Sequence, residues 1–454
     1  MPPKKCQAPK TPPPAPAPNK RKRGRRLLSI LDEPSSPGRL HREMLSIKFP
    51  TDVLTVLVFG GGENGELGLG PKRTEALRPQ PNPYLDPSSS KLCIIQDRLR
   101  AALGRDSEWS GGKLRDADED GDEDEDGVDD LELNPLESTP TAIPEESFPS
   151  DSLSARPWFV QVAPGDNCSF VLTDTGLVHG WGTFRDTNGN ERFGSDGKGA
   201  VTIRQKSPTL IPDTAGNIWA WGCNEQNQFG PRFFSGRGDP DIYKPQQVRV
   251  CRGAAKYIGA GQYHCFAVDK KDNVWGWGLD SFGQVGDTKT VGDDSAILPY
   301  PVKIRGLCSR GVVQFDGSSY HSAAVAAAGE CFVWGRMYVG QLGMGFMVDQ
   351  LSDANLIHRN NRGSPRICLR PIFVPVIGEV ASVACDGDHT IFVNRTGHVY
   401  TTLFGYQGRL GLGSEHDVSV ATRIQGKHVK DRRITWTGAD GGSSVVAGSF
   451  SVTT

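Results

Sequence analysis

The sequence predicts an all-β fold: a seven-bladed β-propeller closed by pairing of N- and C-terminal half-blades, with a disordered basic N-terminal tail. Three observations predict it. A unit of about 55 residues recurs along the chain. Within each unit, short apolar runs alternate with glycine-rich turns, and no long helical period appears. The chain opens on the second half of a unit and closes on the first half of one.

The composition agrees with a turn-rich chain. It holds 55 glycines in 454 residues, well above the usual share of about 7%. Formal net charge is only −2, yet the charges are segregated. Residues 1–50 are rich in proline and basic residues and cannot bury enough apolar surface to offset ordering entropy, so disorder is expected there. Residues 116–132, DADEDGDEDEDGVDDLE, carry twelve carboxylates and no positive charge. Self-repulsion makes 106–156 an acidic loop inserted in the propeller of residues 51–454. No run reaches the ~18 apolar residues of a membrane span, so no membrane partner is expected, and MPPKKCQAPK lacks the apolar core of a secretory signal. Ten cysteines form no CxxC pair. Most sit in apolar strand-like runs, as Cys265 does in HCFAV, and are expected to be buried, reduced thiols.

The repeat decides the architecture. Its clearest copy is YIGAGQYHCFAVDKKDNVWGWGLDSFGQVG, Tyr257–Gly286. The first half is an apolar run, a turn ending in histidine and a second apolar run. The second half is a polar hairpin turn, a strand ending in Trp-Gly, and a closing turn. Further copies run from Val312 to Gly343 and from Val380 to Gly411, and Phe159–Gly194 is a fourth with Cys168 at the histidine position. Asp174-Thr175-Gly176, Asp272-Asn273 and Thr396-Gly397 suit tight hairpin turns. Each copy is therefore four short strands, one blade. Second halves close at Gly68, Gly104, Gly194, Gly230, Gly286, Gly343 and Gly411, seven in all. The opening half, VLVFGGGENGELGLG, and the closing half, TWTGADGGSSVVAG, complete each other. Sewing one blade from both termini removes exposed sheet edges.

Two blades read short. The closing glycines at 230, 286, 343 and 411 are 56, 57 and 68 residues apart, but 194 to 230 spans only 36. LIPDTAGNIWAWG passes from an inter-blade strand straight into a hairpin turn, so a half-blade is expected to be absent near Asp213. LCIIQDRLRAALGRD, residues 92–106, is shortened likewise. Each shortfall amounts to roughly 15–25 residues, about two strands with their turns.

No GxSxG elbow, HExxH, Walker loop or paired metal-ligand spacing occurs, so covalent chemistry, a metal and a cofactor are not expected. The repeat histidines His264, His321 and His389 are expected to hydrogen-bond within their own blades. Their turns could also face a partner.

The repeated units at Gly261–Gly286, Gly317–Gly343 and Gly387–Gly411 resemble the regulator of chromosome condensation family, nucleotide exchange factors for the small GTPase Ran. WGTFRDTNGNERFG, Trp181–Gly194, looks like the blade carrying that family's β-wedge, and VFGGGENGELGLG and ALGRD match in order. The resemblance covers roughly residues 52–448. It implies a wedge at Arg185, Asp186, Thr187, Asn188, Gly189 and Asn190, where Asn188-Gly189 permits a sharp turn. It also implies a GTPase-contacting face with Glu63, Asp166, Tyr320, His321 and Asp388. The family has a contact histidine where this chain carries Tyr320. Two further turns expected on the face fall in the shortened segments near Asp97 and Asp213, and Pro231 stands where a basic residue is expected.

Such a factor needs no reactive group. A GTPase holds its nucleotide through a phosphate loop and Mg²⁺, and an intruding element must break those contacts. Lys20, Arg21, Lys22, Arg23, Arg25 and Arg26 place six positive charges in seven residues, the pattern of a nuclear import signal or a nucleic-acid contact. The expected partners are Ran, a nuclear import receptor, and chromatin through histones and sequence-independent DNA contact. The alternative is a non-catalytic propeller adaptor, because one scaffold serves several functions.

Overall fold

The computed structural model describes residues 54–63, 65–85, 133–140, 159–164, 168–173, 178–182, 208–212, 216–222, 246–251, 254–288, 291–292, 296–387 and 389–450. All lie in the unit spanning Leu40–Thr454. The basic tail, most of the acidic loop, the segment 92–106 and the wedge fall outside the described residues.

The chain begins with β1 (Thr55–Gly61) and β2 (Glu75–Pro81). Next come β3 (Phe159–Pro164), β4 (Cys168–Thr173) and β5 (Val178–Gly182), then β6 (Pro208–Pro212), β7 (Ile218–Gly222) and β8 (Gln246–Val248). Each trio forms a three-stranded antiparallel sheet. A four-stranded meander follows, with β9 (Ala255–Ala260), β10 (His264–Asp269), β11 (Val274–Leu279) and β12 (Ile297–Lys303). The next sheet contains β13 (Val312–Gly317), β14 (His321–Ala326), β15 (Cys331–Arg336), β16 (Ile357–Arg359) and β17 (Pro365–Phe373), with β16 added at the outer edge. Another four-stranded sheet contains β18 (Val380–Cys385), β19 (His389–Asn394), β20 (Val399–Leu403) and β21 (Val418–Arg423). The chain ends with β22 (Arg432–Asp440) and β23 (Ser443–Phe450).

The terminal strands join one sheet, in the order β2-β1-β23-β22, with Thr55 opposite Gly448 and Gly60 opposite Ser443. This is the closure expected from the complementary half-units. It leaves neither terminal strand as an open edge.

The second strand of each blade explains why these segments read as unbroken apolar runs. Alternate residues of a strand point to opposite faces, and here both faces are buried. Cys265 and Ala267 pack toward Ile218 and Ala220 of the preceding sheet, while Phe266 and Val268 pack toward Phe315 and Trp334 of the next. Ala324 and Ala326 share that second core, whereas Ala323 and Val325 join Val383 and Phe392. Ile391 and Val393 then meet Leu57, Phe59 and Val446 of the terminal sheet. The hydrophobic core is thus a series of layers between successive sheets. Cys265, Cys331, Cys368 and Cys385 are buried within them and form no disulfide.

Hairpin turns behave as their residues dictate. Asp269 Oδ1 accepts from the backbone N–H groups of Lys271 and Asn273 at 2.8 and 2.9 Å, and Asp272 takes φ 59°. Asn394 Oδ1 plays the same part for the His398 N–H at 2.8 Å.

The shortfall near Asp213 is distributed differently from the expectation of one absent half-blade. β6 pairs directly with β7, Pro208 opposite Gly222 and Pro212 opposite Ile218. It thereby holds the place that β10 holds beside β11, where His264 stands opposite Gly278. The preceding sheet has no fourth strand among the described residues. Among the described residues, one sheet shows no outer strand and the next no inner one. A strand transferred in this way keeps its backbone groups paired, so the loss does not leave a half-blade of orphaned donors.

Candidate interaction face

In a four-stranded meander, the turn between strands one and two and the turn between strands three and four lie at the same end. Direct backbone bonds tie them together. Leu279 N–H donates to Tyr263 O at 3.0 Å, Arg336 N–H to Tyr320 O at 3.0 Å, and Gly61 N–H to Gly442 O at 2.9 Å. The glycine before each of these donors makes the approach possible. Gly60, Gly278 and Gly335 take φ 108°, 105° and 102°, and a Cβ on Gly335 would lie 2.7 Å from Tyr320 O. In Gly278 and Gly335 this is the glycine of the recurring Trp-Gly pair, and in Gly60 it follows Phe59. Leu403 holds the equivalent register position opposite His389 with φ 94°, a non-glycine in the same strained conformation.

Beneath this end runs a periodic hydrogen-bond relay between blades. His264 Nε2 lies 2.7 Å from Ser322 Oγ, His321 Nε2 lies 2.7 Å from Thr390 Oγ1, and His389 Nε2 lies 2.8 Å from Ser444 Oγ. Each hydroxyl donates onward to a carbonyl of the closing turn in the preceding blade: Gln284 O at 2.8 Å, Gln341 O at 2.8 Å and Arg409 O at 2.9 Å. A hydroxyl has one proton, so the imidazole Nε2 must carry the hydrogen it shares. His321 Nδ1 is then the acceptor, matching Ser318 Oγ at 2.8 Å. Burial pushes His264 and His321 down to about 3, so both rings are neutral donors near pH 7. His321 thus keeps the in-blade bond its once-per-blade spacing suggested, and all three histidines add a bond to the next blade that the spacing did not suggest.

The predicted contact residues divide. Glu63 is exposed, and its Oε1 accepts from Gln407 Nε2 at 2.6 Å. Tyr320 is half-buried and meets Phe282 edge-on, with ring centroids 5.1 Å apart. His321 is completely buried, so its side chain belongs to the relay and cannot meet a partner. Asp166, Asp388 and Arg185–Asn190 lie outside the described residues. In sequence, Asp166 falls between β3 and β4, Asp388 between β18 and β19, and the wedge after β5.

The structure adds residues that sequence reasoning missed. Arg336 follows Trp334-Gly335, and its guanidinium carbon lies 4.3 Å from the Tyr338 ring centroid, 4.9 Å from Tyr320 and 5.8 Å from Phe282. Arg366 covers the Phe282 ring at 4.8 Å. Tyr338, Val339, Phe404 and Tyr406 are exposed on the turns that follow third strands. Their position after the Trp-Gly strand was available as a signal. The convergence of Arg336 and Arg366 on Phe282 was not, because Arg366 comes from β17 and Phe282 from the preceding blade.

Residues 55–446 match the RCC1-like domain. The chain belongs to the RCC1-like domain family. Its β-propeller fold is that of solved relatives. Among RCC1-like proteins, the guanine nucleotide exchange factor SRM1 of Saccharomyces cerevisiae is 31% identical over 442 residues, covering 87% of each chain. The crystal structure of Prp20p from Saccharomyces cerevisiae, described with its binding properties to Gsp1p and histones, superposes with TM-score 0.73 at 28% identity, over 88% of this chain and 92% of that one. Yeast RCC1 (Prp20) bound to Kap60 superposes with TM-score 0.74 at 27% identity, over 92% and 93%.

Proposed function

We propose that this protein is a guanine nucleotide exchange factor that promotes nucleotide release from a Ran-type small GTPase at chromatin, in the nucleus. The observation that carries the reading is the match to an exchange factor along 87% of the chain. The wedge assigned to Arg185–Asn190 displaces contacts to the nucleotide and Mg²⁺. Glu63, Tyr320, Asp166 and Asp388 contact the GTPase around it. Each tenfold acceleration requires lowering the release barrier by about 1.36 kcal/mol, so contacts must come from many turns at once. Turns anchored on packed sheets suit this, because little entropy is lost on holding them in place.

Lys20–Arg26 serve nuclear import and salt-sensitive contact with DNA, and the histone contact described for Prp20p extends to this protein. Regulation of a GTPase by this route needs no covalent step on the protein.

The test follows fluorescent GDP leaving a loaded Ran-type GTPase. Catalytic amounts of the full-length protein should accelerate release, and the rate should saturate with GTPase concentration. Folded protein that leaves the rate at its intrinsic value would favour the adaptor reading instead. The observation that favours that reading is the sheet β6-β7-β8, where among the described residues β6 near Asp213 has no partner strand on its inner side.

A further inference from the structure

We infer that Arg336 is a specificity-determining contact of the exchange face, a guanidinium held ready for a carboxylate of the GTPase. The inference rests on the exchange-factor reading and goes beyond it in naming a residue and the chemistry of its partner group.

Three observations place Arg336 in this role. It is the last residue of β15, at the same end as Glu63 and Tyr320, through its backbone bond to Tyr320 O. Its guanidinium is walled by Tyr338, Tyr320 and Phe282, and Nη2 bonds the Tyr338 phenol. Its Nε is buried with no hydrogen-bond partner. Among the described residues no carboxylate lies within 4.0 Å of this group, although the exposed arginines Arg310, Arg370 and Arg395 all have one.

An arginine that merely solubilised the surface would extend into water and keep its rotamer freedom. This one has already lost that freedom to the aromatic walls, so an incoming anion meets a fixed fork of donors. A carboxylate accepts two parallel N–H bonds from such a fork. Tyrosine and arginine around a half-buried centre are also the residue types that dominate binding energy at protein interfaces. Tyr338, 51% exposed, lets a partner reach the ring that completes the clamp. A phosphate would satisfy the same fork, but the nucleotide phosphates lie inside their own binding loop on the GTPase. An acidic side chain on the GTPase surface is the occupant that fits.

The experiment measures release of fluorescent GDP from a Ran-type GTPase by full-length Arg336→Ala, Arg336→Lys, Arg336→Glu and Tyr338→Phe variants, each with its melting temperature. Arg310→Ala, at the opposite end of the same sheet, is the control. Arg336→Ala should raise KM about tenfold or more with a smaller change in kcat, the loss typical of a hot-spot arginine. Arg336→Glu should lose more. Arg336→Lys should recover only part, because an ammonium keeps the charge without the planar fork. The fall of kcat/KM with added salt should be shallower in Arg336→Ala, which a purely structural residue would not produce. Tyr338→Phe should show a small KM effect and Arg310→Ala none. Wild-type kinetics in folded Arg336→Ala and Arg336→Glu overturn the inference while leaving the exchange reading intact. A wild-type protein without exchange activity overturns both.

Discussion

His321 in one blade and Thr390 in the next share a 2.7 Å hydrogen bond, and the Thr390 hydroxyl passes its own proton to Gln341 O at 2.8 Å. The bond joins two sheets that share no strand pairing, and it works beside backbone bonds between the same blades, such as Ala421 N–H to Gly343 O at 3.0 Å. His264–Ser322 and His389–Ser444 repeat it. A residue type used once per repeat is thereby a fastener between repeats.

Thr390→Val keeps the shape of the side chain but strands the His321 N–H and removes the donor to Gln341 O. Because both groups are buried, the variant should lose about 1–3 kcal/mol of unfolding free energy. Thr390→Ser should retain nearly all of it. Urea denaturation of the two variants checks this, and equal stabilities would remove the relay from the account of what holds the blades together.

The buried histidines also predict how stability responds to acid. His264 and His321 are held at about 3 by burial, against an ordinary value of 6.5. The unfolded chain therefore takes up protons at these positions that the folded chain refuses. Their contribution is fully present above pH ~6.5 and is lost progressively as pH falls from there toward about 3. The loss approaches about 1.4 kcal/mol per pH unit for each histidine. His264→Gln should flatten the dependence between pH 6 and 4 by about one such slope. Parallel curves for variant and wild type would contradict a buried neutral imidazole.

Gly335 is constrained both by its φ of 102° and by the carbonyl of Tyr320. Gly335→Ala should cost about 2–4 kcal/mol, combining backbone strain with displacement of the neighbouring turn. Gly363→Ala is the comparison, since Gly363 has φ 77° but open space where the Cβ would go. It should cost only about 1–2 kcal/mol. Thermal melts distinguish the two, and equal losses would mean that the collision with Tyr320 O contributes nothing.

Replacing Arg185 through Asn190 by a short Gly-Ser turn should abolish nucleotide release and leave the melting temperature nearly unchanged. The segment is polar throughout, and exchange depends on an element that intrudes between GTPase and nucleotide. Release kinetics measured beside a thermal melt check both halves of the expectation. A variant that still exchanges at the wild-type rate would move the wedge to another loop.

The repeat, the strand order within a blade and the joining of the two termini were all readable from the amino-acid order. Each depends on local pattern: apolar runs of strand length, turn residues at fixed intervals, and half-units that complement each other. The Trp-Gly pair could be recognised as punctuation, but the reason for its glycine emerged only when Gly335 was found against Tyr320 O. The histidine was likewise visible as a periodic residue, but its partner in the next blade was not. His321 and Thr390 are 69 positions apart, and one-dimensional spacing does not say whether a side chain turns inward to its own sheet or across to the next. The same limit applied near Asp213, where the count of residues was read as a missing half-blade. Among the described residues, β6, read from the sequence as an inter-blade strand, pairs directly with β7 and has its backbone bonded there. Arg336 marks the boundary most clearly. Its charge is evident in the sequence, but the rings of Phe282 and Tyr320 that meet it come from segments that only packing brings together, as does the absence of a counter-ion among the described residues.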